Sequence, residues 1–257
     1  MSILVLDHSS PGGLGAYASA LRRAGVSWDT VRAYAGQRLP DWRGYDGIIA
    51  LGGPMGAGDD VLLPWIADEK RLIADAVRAG VSFWGVCLGA QLLAASLGAT
   101  VYRGAVPEVG IQKVTLTQAG LRDPVLSALP AVTDAMEWHR DTFELPAGAV
   151  LLARSRRFPH QAYRFGSNAY AVQFHLELSA RSAMKWREFA GYRGVWHKAK
   201  QGKAISVPGR LEAQGPQMQA LAGELLTRWL QRTRGAQATR DAANVLSAEL
   251  TRVAKPG

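Results

Sequence analysis

Residues 81–91 read Val81-Ser82-Phe83-Trp84-Gly85-Val86-Cys87-Leu88-Gly89-Ala90-Gln91, and they open a stretch, 81–102, without a single charged side chain. A run of that length can read as a membrane-spanning helix. Gly85, Gly89 and Gly98, together with Gln91 and Ser96, speak against that, and the first residues favour a strand. The stretch is read as a buried strand over 81–86 followed at once by a buried helix over 88–97, and no membrane span is expected.

The same alternation repeats upstream. Residues 3–6 form a short apolar strand, and 14–23 a helix. Gly47-Ile48-Ile49-Ala50-Leu51 is a second apolar run ending in Gly52-Gly53-Pro54. A helical pattern over 62–78 puts Ile66, Ile73 and Val77 on one face, with Gly80 as its cap. Repeated strand–helix alternation implies a parallel sheet covered on both faces. Further along, strands are expected at 109–116, 134–138, 149–154, 161–165 and 169–174, then a helix at 181–189. Residues 191–215 read as a loop or linker, with helices at 216–233 and 238–253 after it. The expectation is an α/β three-layer sandwich with a mostly parallel central sheet over residues 1–190, followed by a basic loop and helical C-terminal extension over 191–257.

Composition agrees with a soluble globular chain: 48% hydrophobic and 20% charged over 257 residues. One cysteine excludes an intramolecular disulfide and makes a reducing compartment the default. Met1-Ser2-Ile3-Leu4-Val5 runs straight into a strand with no secretory signal pattern, so a cytoplasmic location is expected. Of the net charge of +9, the segment from Gly191 onward supplies +7, with eleven Lys and Arg against four Asp and Glu. A charge run of this kind is usually a solvated face. Aromatic residues in it are few (Tyr192, Trp196, Trp229) and no reader motif is present, so no nucleic-acid role is expected. Leu221, Leu225, Leu226 and Trp229 instead form a stripe suited to docking on the domain or on a partner subunit, including a second copy in a homo-oligomer.

The chemistry centres on Gly85-Val86-Cys87-Leu88-Gly89, which puts the one cysteine at a strand-to-helix junction. A nucleophile on such a tight turn projects toward substrate, and glycines two residues to either side relieve the crowding. The helix start at Leu88 aims N–H groups at the sulfur, which favours the thiolate. A lone cysteine is more often a buried structural residue; the flanking glycines and the junction reverse that prior. Val172-Gln173-Phe174-His175-Leu176-Glu177 offers a base and an orienting acid. Residues two apart on an extended segment point the same way, so His175 and Glu177 can sit side by side. Acyl transfer also needs oxyanion donors, and losing one typically costs about 2.7–4 kcal/mol of barrier. Leu51-Gly52-Gly53-Pro54-Met55-Gly56 follows a strand and can set the Gly53 N–H beside that of Leu88; no Gly-Lys-Ser/Thr follows, so it is no phosphate loop.

Together these pieces resemble the class I glutamine amidotransferases, in particular the GMP synthase-like stand-alone members. The resemblance covers roughly residues 40–190 and rests on five motifs in the family's order: residues 51–56, Gly85-Val86-Cys87-Leu88-Gly89-Ala90-Gln91, Glu108-Val109-Gly110, Trp138-His139-Arg140-Asp141-Thr142-Phe143, and Val172-Gln173-Phe174-His175-Leu176-Glu177. It implies a flavodoxin-like fold, a triad of Cys87, His175 and Glu177, and oxyanion amides from Gly53 and Leu88. It also implies substrate contacts from Gln91 and from the stretch Trp138, His139, Arg140, Asp141. Two positions depart from the family's pattern. Leu176 stands where His-Pro-Glu is usual, and a proline there would stiffen the link. Arg140 stands where glycine is common, which adds bulk and charge near the substrate pocket.

Three rival signals are weaker. Gly13-Leu14-Gly15-Ala16-Tyr17-Ala18 fits Gly-x-Gly-x-x-Ala after the first strand, but no acid ends the next strand (28–33) to grip a ribose, so it is read as a helix start packed closely on the sheet. His8, His139, His160 and His197 are scattered without ligand spacing, so no metal and no cofactor is expected. A catalytically silent regulatory or binding module would not need all three of Cys87, His175 and Glu177. The expected activity is therefore hydrolysis of the glutamine side-chain amide to glutamate and ammonia through a cysteine thioester, the ammonia passing to an acceptor or synthetase subunit. The alternative is a stand-alone hydrolase of γ-glutamyl peptides or amides using the same triad.

Overall fold

The structure is a computed structural model that describes residues 1–8, 13–188 and 207–253. Residues 9–12, between the first expected strand and helix, lie outside these residues, as do Tyr192, Trp196, His197 and positions 191–206 of the expected linker.

Strand β1 (Ser2–Leu6) shows why the chain layers as it does. Ile3 and Val5 enter one core cluster and Leu4 and Leu6 the other, and all four are fully buried. Successive side chains of a strand point to opposite faces, so an all-apolar strand must be covered twice. Helix α1 (Ala16–Arg23) covers one face through Tyr17 and Leu21. β2 (Ser27–Val31), β3 (Gly47–Ala50) and helix α2 (Pro64–Arg78) follow. α2 covers the opposite face with Ile66, Ile73 and Val77, the expected stripe, and Gly80 takes the positive φ (78°) that a glycine cap supplies. β4 (Ser82–Val86) and α3 (Leu88–Ser96) account for the charge-free run: every β4 residue and residues 88–94 are buried. Among the described residues no helix is long and apolar enough to cross a membrane.

The remaining elements are β5 (Val101–Leu116), α4 (Gln118–Arg122), β6 (Val132–Phe143), β7 (Val150–Ser155), β8 (Ala162–Phe165), β9 (Ala169–Val172), α5 (Ala180–Glu188) and α6 (Val207–Val253). One nine-stranded sheet runs β2-β1-β3-β4-β9-β8-β7-β5-β6. The first five strands in that order are parallel, which bears out the parallel expectation for the half that carries the cysteine. The rest pair antiparallel. Links as short as that between β8 and β9 leave no room for a crossover helix.

The C-terminal segment differs from expectation. The loop through 215 and the two helices beyond it become, from residue 207, one helix of 47 residues that runs through Pro216. Pro216 removes one backbone bond locally. Leu211, Met218, Ala222, Leu225, Leu226, Trp229 and Leu230 on either side of it are all buried in the cluster that holds Ile3, Tyr17 and Trp84. Burial on that scale outweighs a single proline. The Leu221–Trp229 stripe thus docks on the chain's own sheet. Trp229 is fully buried, and its Nε1–H donates to the carbonyls of Phe83 (3.1 Å) and Asn168 (3.2 Å).

Candidate active site

The parallel strands converge on one edge, and the candidate residues follow their C-terminal ends, the usual place for ligands in open α/β sheets. Cys87 joins β4 to α3 with φ 52° and ψ −106°, the only non-glycine positive φ among the described residues. L-residues adopt such a conformation only when the surroundings hold it. Here β3, β4 and α3 close tightly around the turn. A Cβ on Gly85 would lie 2.7 Å from the Gly89 carbonyl oxygen, and one on Gly89 would overlap the Ala50 carbonyl. The Cys87 N–H donates to Val172 O at 2.8 Å, which ties the turn to the end of β9.

His175 lies just past β9 and is pinned by its backbone to β6: its N–H donates to Met136 O (2.8 Å) and its carbonyl accepts from Met136 N–H (3.0 Å). Its Nδ1 is 2.6 Å from Glu177 Oε1. The Cys87 side chain is within hydrogen-bonding reach of the same imidazole. Burial by itself lowers the histidine's pKa, but the charge of Glu177 and the bonds to Cys87 and Glu177 outweigh it and raise the value to about 10. Leu176, in the place of the family's proline, donates its N–H to Glu177 Oε2 at 3.1 Å. The backbone carbonyl of Glu177 accepts the Ala16 N–H at 3.0 Å, and Gly15 (φ 51°) lies so close that any Cβ would overlap that carbonyl oxygen. The Gly-x-Gly-x-x-Ala pattern therefore serves to seat α1 against the acid.

Gly53 and Leu88 come out side by side. A Cβ on Gly53 would fall 2.6 Å from His8 Cβ and 2.9 Å from Leu88 Cδ2. Leu88 is the first residue of α3, so its N–H precedes the first helical acceptor. The loop holding Gly53 is anchored by residues that sequence reasoning did not assign to the site. His8 Nδ1 bonds Leu51 O (2.8 Å) and its Nε2 bonds Glu69 Oε2 (2.7 Å), all buried. Burial again opposes the charged imidazole, while Glu69 raises its pKa above the usual value. The available signal was an acid among the apolar positions of α2: Glu69 falls between Ile66 and Ile73 at helical spacing and is fully buried with them.

The expected substrate-contacting residues divide. Gln91 Nε2 donates to Asp141 O (3.2 Å) and Gln173 Oε1 (3.1 Å), and His139 Nδ1 bonds the same Asp141 carbonyl at 2.9 Å. Gln91, His139 and Asp141 thus meet through a backbone oxygen. Trp138 is buried in the cluster that contains Cys87. Arg140 turns to β5 instead, its Nε donating to Gly104 O (3.1 Å) and its Nη2 to Ala105 O (3.4 Å). The Asp141 carboxyl is half-buried and its pKa is raised, by desolvation first. The imidazole of His139 faces two carboxylates, with Nε2 3.1 Å from Glu137 Oε2 and 3.5 Å from Glu108 Oε2. Burial opposes its charge, and the two acids override it, raising its pKa to about 10. Burial also pushes the Glu137 carboxyl up. His160 Nδ1 bonds Phe143 O at 2.7 Å.

This arrangement places a thiol, an imidazole and a carboxylate in series beside two candidate amide donors. The sequence model of the family "Glutamine amidotransferase class-I" matches residues 14–188. The chain is 32% identical over 186 residues to the glutamine amidotransferase-like protein YfeJ of Salmonella typhimurium, covering 71% of this chain and 78% of that one. It is 30% identical over 183 residues to the glutamine-hydrolysing GMP synthase of Aeropyrum pernix, where the match takes in 68% of this chain and only 33% of the longer relative. Among solved structures, a glutamine amidotransferase from Thermotoga maritima superposes with a TM-score of 0.78 at 29% identity, covering 89% of this chain and 97% of that one. A glutamine amidotransferase from Methylobacillus flagellatus gives 0.81 at 26% identity, with 90% and 94% covered.

Proposed function

Because the chain belongs to the class-I glutamine amidotransferase family, we propose that it hydrolyses the side-chain amide of glutamine to glutamate and ammonia through a thioester on Cys87. The observation that carries the reading is the series from Cys87 to His175 to Glu177, built on the one strained non-glycine backbone position among the described residues. His175 already holds the proton given up by the thiol, and the sulfur attacks the amide carbon. The carbonyl oxygen becomes an oxyanion facing the N–H groups of Gly53 and Leu88. As the tetrahedral adduct collapses, His175 returns a proton to the nitrogen and ammonia leaves. Water then loses a proton to His175 and attacks the γ-glutamyl thioester, and the sulfur departs as the free nucleophile with glutamate as product. Glu177 holds the imidazole with Nδ1 toward itself, which leaves Nε2 for the sulfur.

In this reading residues 1–190 carry the chemistry and α6 braces the sheet beneath it. The Aeropyrum relative is named a GMP synthase and the match takes in only a third of it. That supports transfer of the ammonia to a synthetase. A catalytic free thiol needs reducing surroundings, which favours the cytoplasm. The test is ammonia release from glutamine by wild type and Cys87→Ala, with and without co-purifying protein. Release by wild type alone supports the assignment, and stimulation by a partner supports transfer. Equal release by both proteins removes Cys87 as nucleophile. Efficient cleavage of γ-glutamyl peptides with no glutamine turnover would replace the amidotransferase reading by the hydrolase one.

A further inference from the structure

Next to the proposed triad, and unused by its mechanism, three buried ligand-type side chains converge. His139 and Glu137 are two apart on β6, so they share a face, and Glu108 is the cross-strand partner of His139 on β5. One ligand atom from each of Glu108, Glu137 and His139 lies within 4.8 Å of the other two. All three residues are at most 5% exposed, and Glu137 is at 0%. Two carboxylates do not normally face one another in a core unless something positive lies between them.

The second observation concerns Glu137. Neither of its carboxylate oxygens has a well-aligned hydrogen-bond donor among the described residues, and Oε2 has only the ion-pair approach of His139 Nε2 at 3.1 Å. Its neighbours are already oriented from behind. Glu108 accepts from Ser155 Oγ at 3.1 Å and from Gln161 Nε2 at 2.9 Å. His139 Nδ1 is engaged with Asp141 O at 2.9 Å, which turns Nε2 toward the acids. Outer partners of this kind are what fix carboxylate and imidazole ligands around a metal ion.

We propose that Glu108, Glu137 and His139 form a binding site for a divalent first-row cation of the zinc type, held by one imidazole nitrogen and two carboxylates. The separations of 3.1 and 3.5 Å from Nε2 to the two Oε2 atoms bracket the edge, about 3.4 Å, of a tetrahedron drawn around an ion with bonds of about 2.1 Å. Two carboxylates and a neutral imidazole balance a charge of two. Calcium wants about six to eight oxygens and fits three ligands poorly. The ion would clamp β5 to β6 where their register shifts between Arg103 and Glu108. Linear spacing hid this site, because Glu108 reaches His139 only through strand pairing.

The experiment uses the full chain in a Cys87→Ala background, so its outcome does not depend on amide hydrolysis. Metal-stripped protein is given Zn2+, then Co2+ as a visible reporter, and the bound ion is counted by mass spectrometry after gel filtration. One ion per chain, a low-symmetry cobalt spectrum without a sulfur charge-transfer band, and a higher Tm are expected. Glu137→Gln and, separately, Glu108→Gln should each weaken binding tenfold or more. No retained ion in the unsubstituted site would overturn the proposal and leave the proton on His139 as the only neutralising charge. So would retention that both substitutions leave unchanged. Binding that appears only when Cys87 is present would transfer the ion to the thiol and reject the site as drawn.

Discussion

The N–H of Leu176 donates to Glu177 Oε2 at 3.1 Å, while the other oxygen of the same carboxylate holds His175 at 2.6 Å. A proline at 176 has no N–H to give. The departure from His-Pro-Glu thus exchanges a stiffened backbone for a hydrogen bond that fixes the acid directly. Bonds to charged groups contribute about 1.5–3 kcal/mol, and a compatible proline returns about 0.4–1 kcal/mol through the unfolded chain. Leu176→Pro should therefore lose about 1–2 kcal/mol in denaturant unfolding and lower kcat. Undiminished stability and turnover would show that the bond contributes nothing.

His175 is held protonated far above the usual histidine range. Its pKa is raised in the fold, from 6.5 to about 10, so its contribution to stability is fully present below about pH 6.5 and is lost as pH climbs through about 10. In the NMR spectrum its ring should not titrate between about pH 6 and 8. Glu177→Gln removes the leading raising charge, so the ring should then titrate lower and alkaline destabilisation should begin at lower pH. A wild-type midpoint near the ordinary value would contradict the ion pair.

His8 and Glu69 act on the candidate oxyanion loop from behind, through the 2.8 Å bond from His8 Nδ1 to Leu51 O. Neither is placed to touch a substrate amide, so both are positioning residues. Glu69→Gln keeps the shape but removes the charge that raises His8. The expected result is a fall in kcat of up to about 10²-fold with KM little changed, as a displaced oxyanion donor gives. A change confined to KM would locate the effect in substrate binding instead.

Trp229 is a fully buried contact of α6. Its ring lies 6.3 Å from that of Trp84, which in turn meets Tyr17 edge-on at 6.0 Å. Trp229→Ala should cost about 3–5 kcal/mol, and Trp229→Phe, which keeps most of the packing but not the bonds to Phe83 and Asn168, markedly less. The folded fraction of either variant should keep its turnover, because Trp229 reaches the site only through the sheet. Loss of turnover without loss of stability would connect α6 to catalysis more directly.

Part of this design was readable residue by residue. The charge-free run from Val81, the glycines at 85 and 89 and the alternation of Ile3, Leu4, Val5 and Leu6 follow from local periodicity, since burial on both faces leaves no position for a charge. Leu211 and Met218 illustrate the opposite case. Two prolines (Pro208, Pro216) and two glycines (Gly209, Gly215) around them argue locally for a break, and only the sheet surface they bury against keeps the helix continuous. The same holds for Glu69, whose charge reads as solvent-facing until His8, just past β1 and 61 positions away, meets it.

What the sequence settled by itself was the order of strands and helices around Cys87 and the types of side chain at the candidate site, because each depends on neighbours a few residues apart. Tertiary structure alone decided that the Glu177 carbonyl fills the space Gly15 leaves open, that Arg140 turns to β5, and that Glu108, Glu137 and His139 share one buried space. Those are contacts between segments distant in the chain. Their partners are chosen by strand register and packing, which no local spacing encodes.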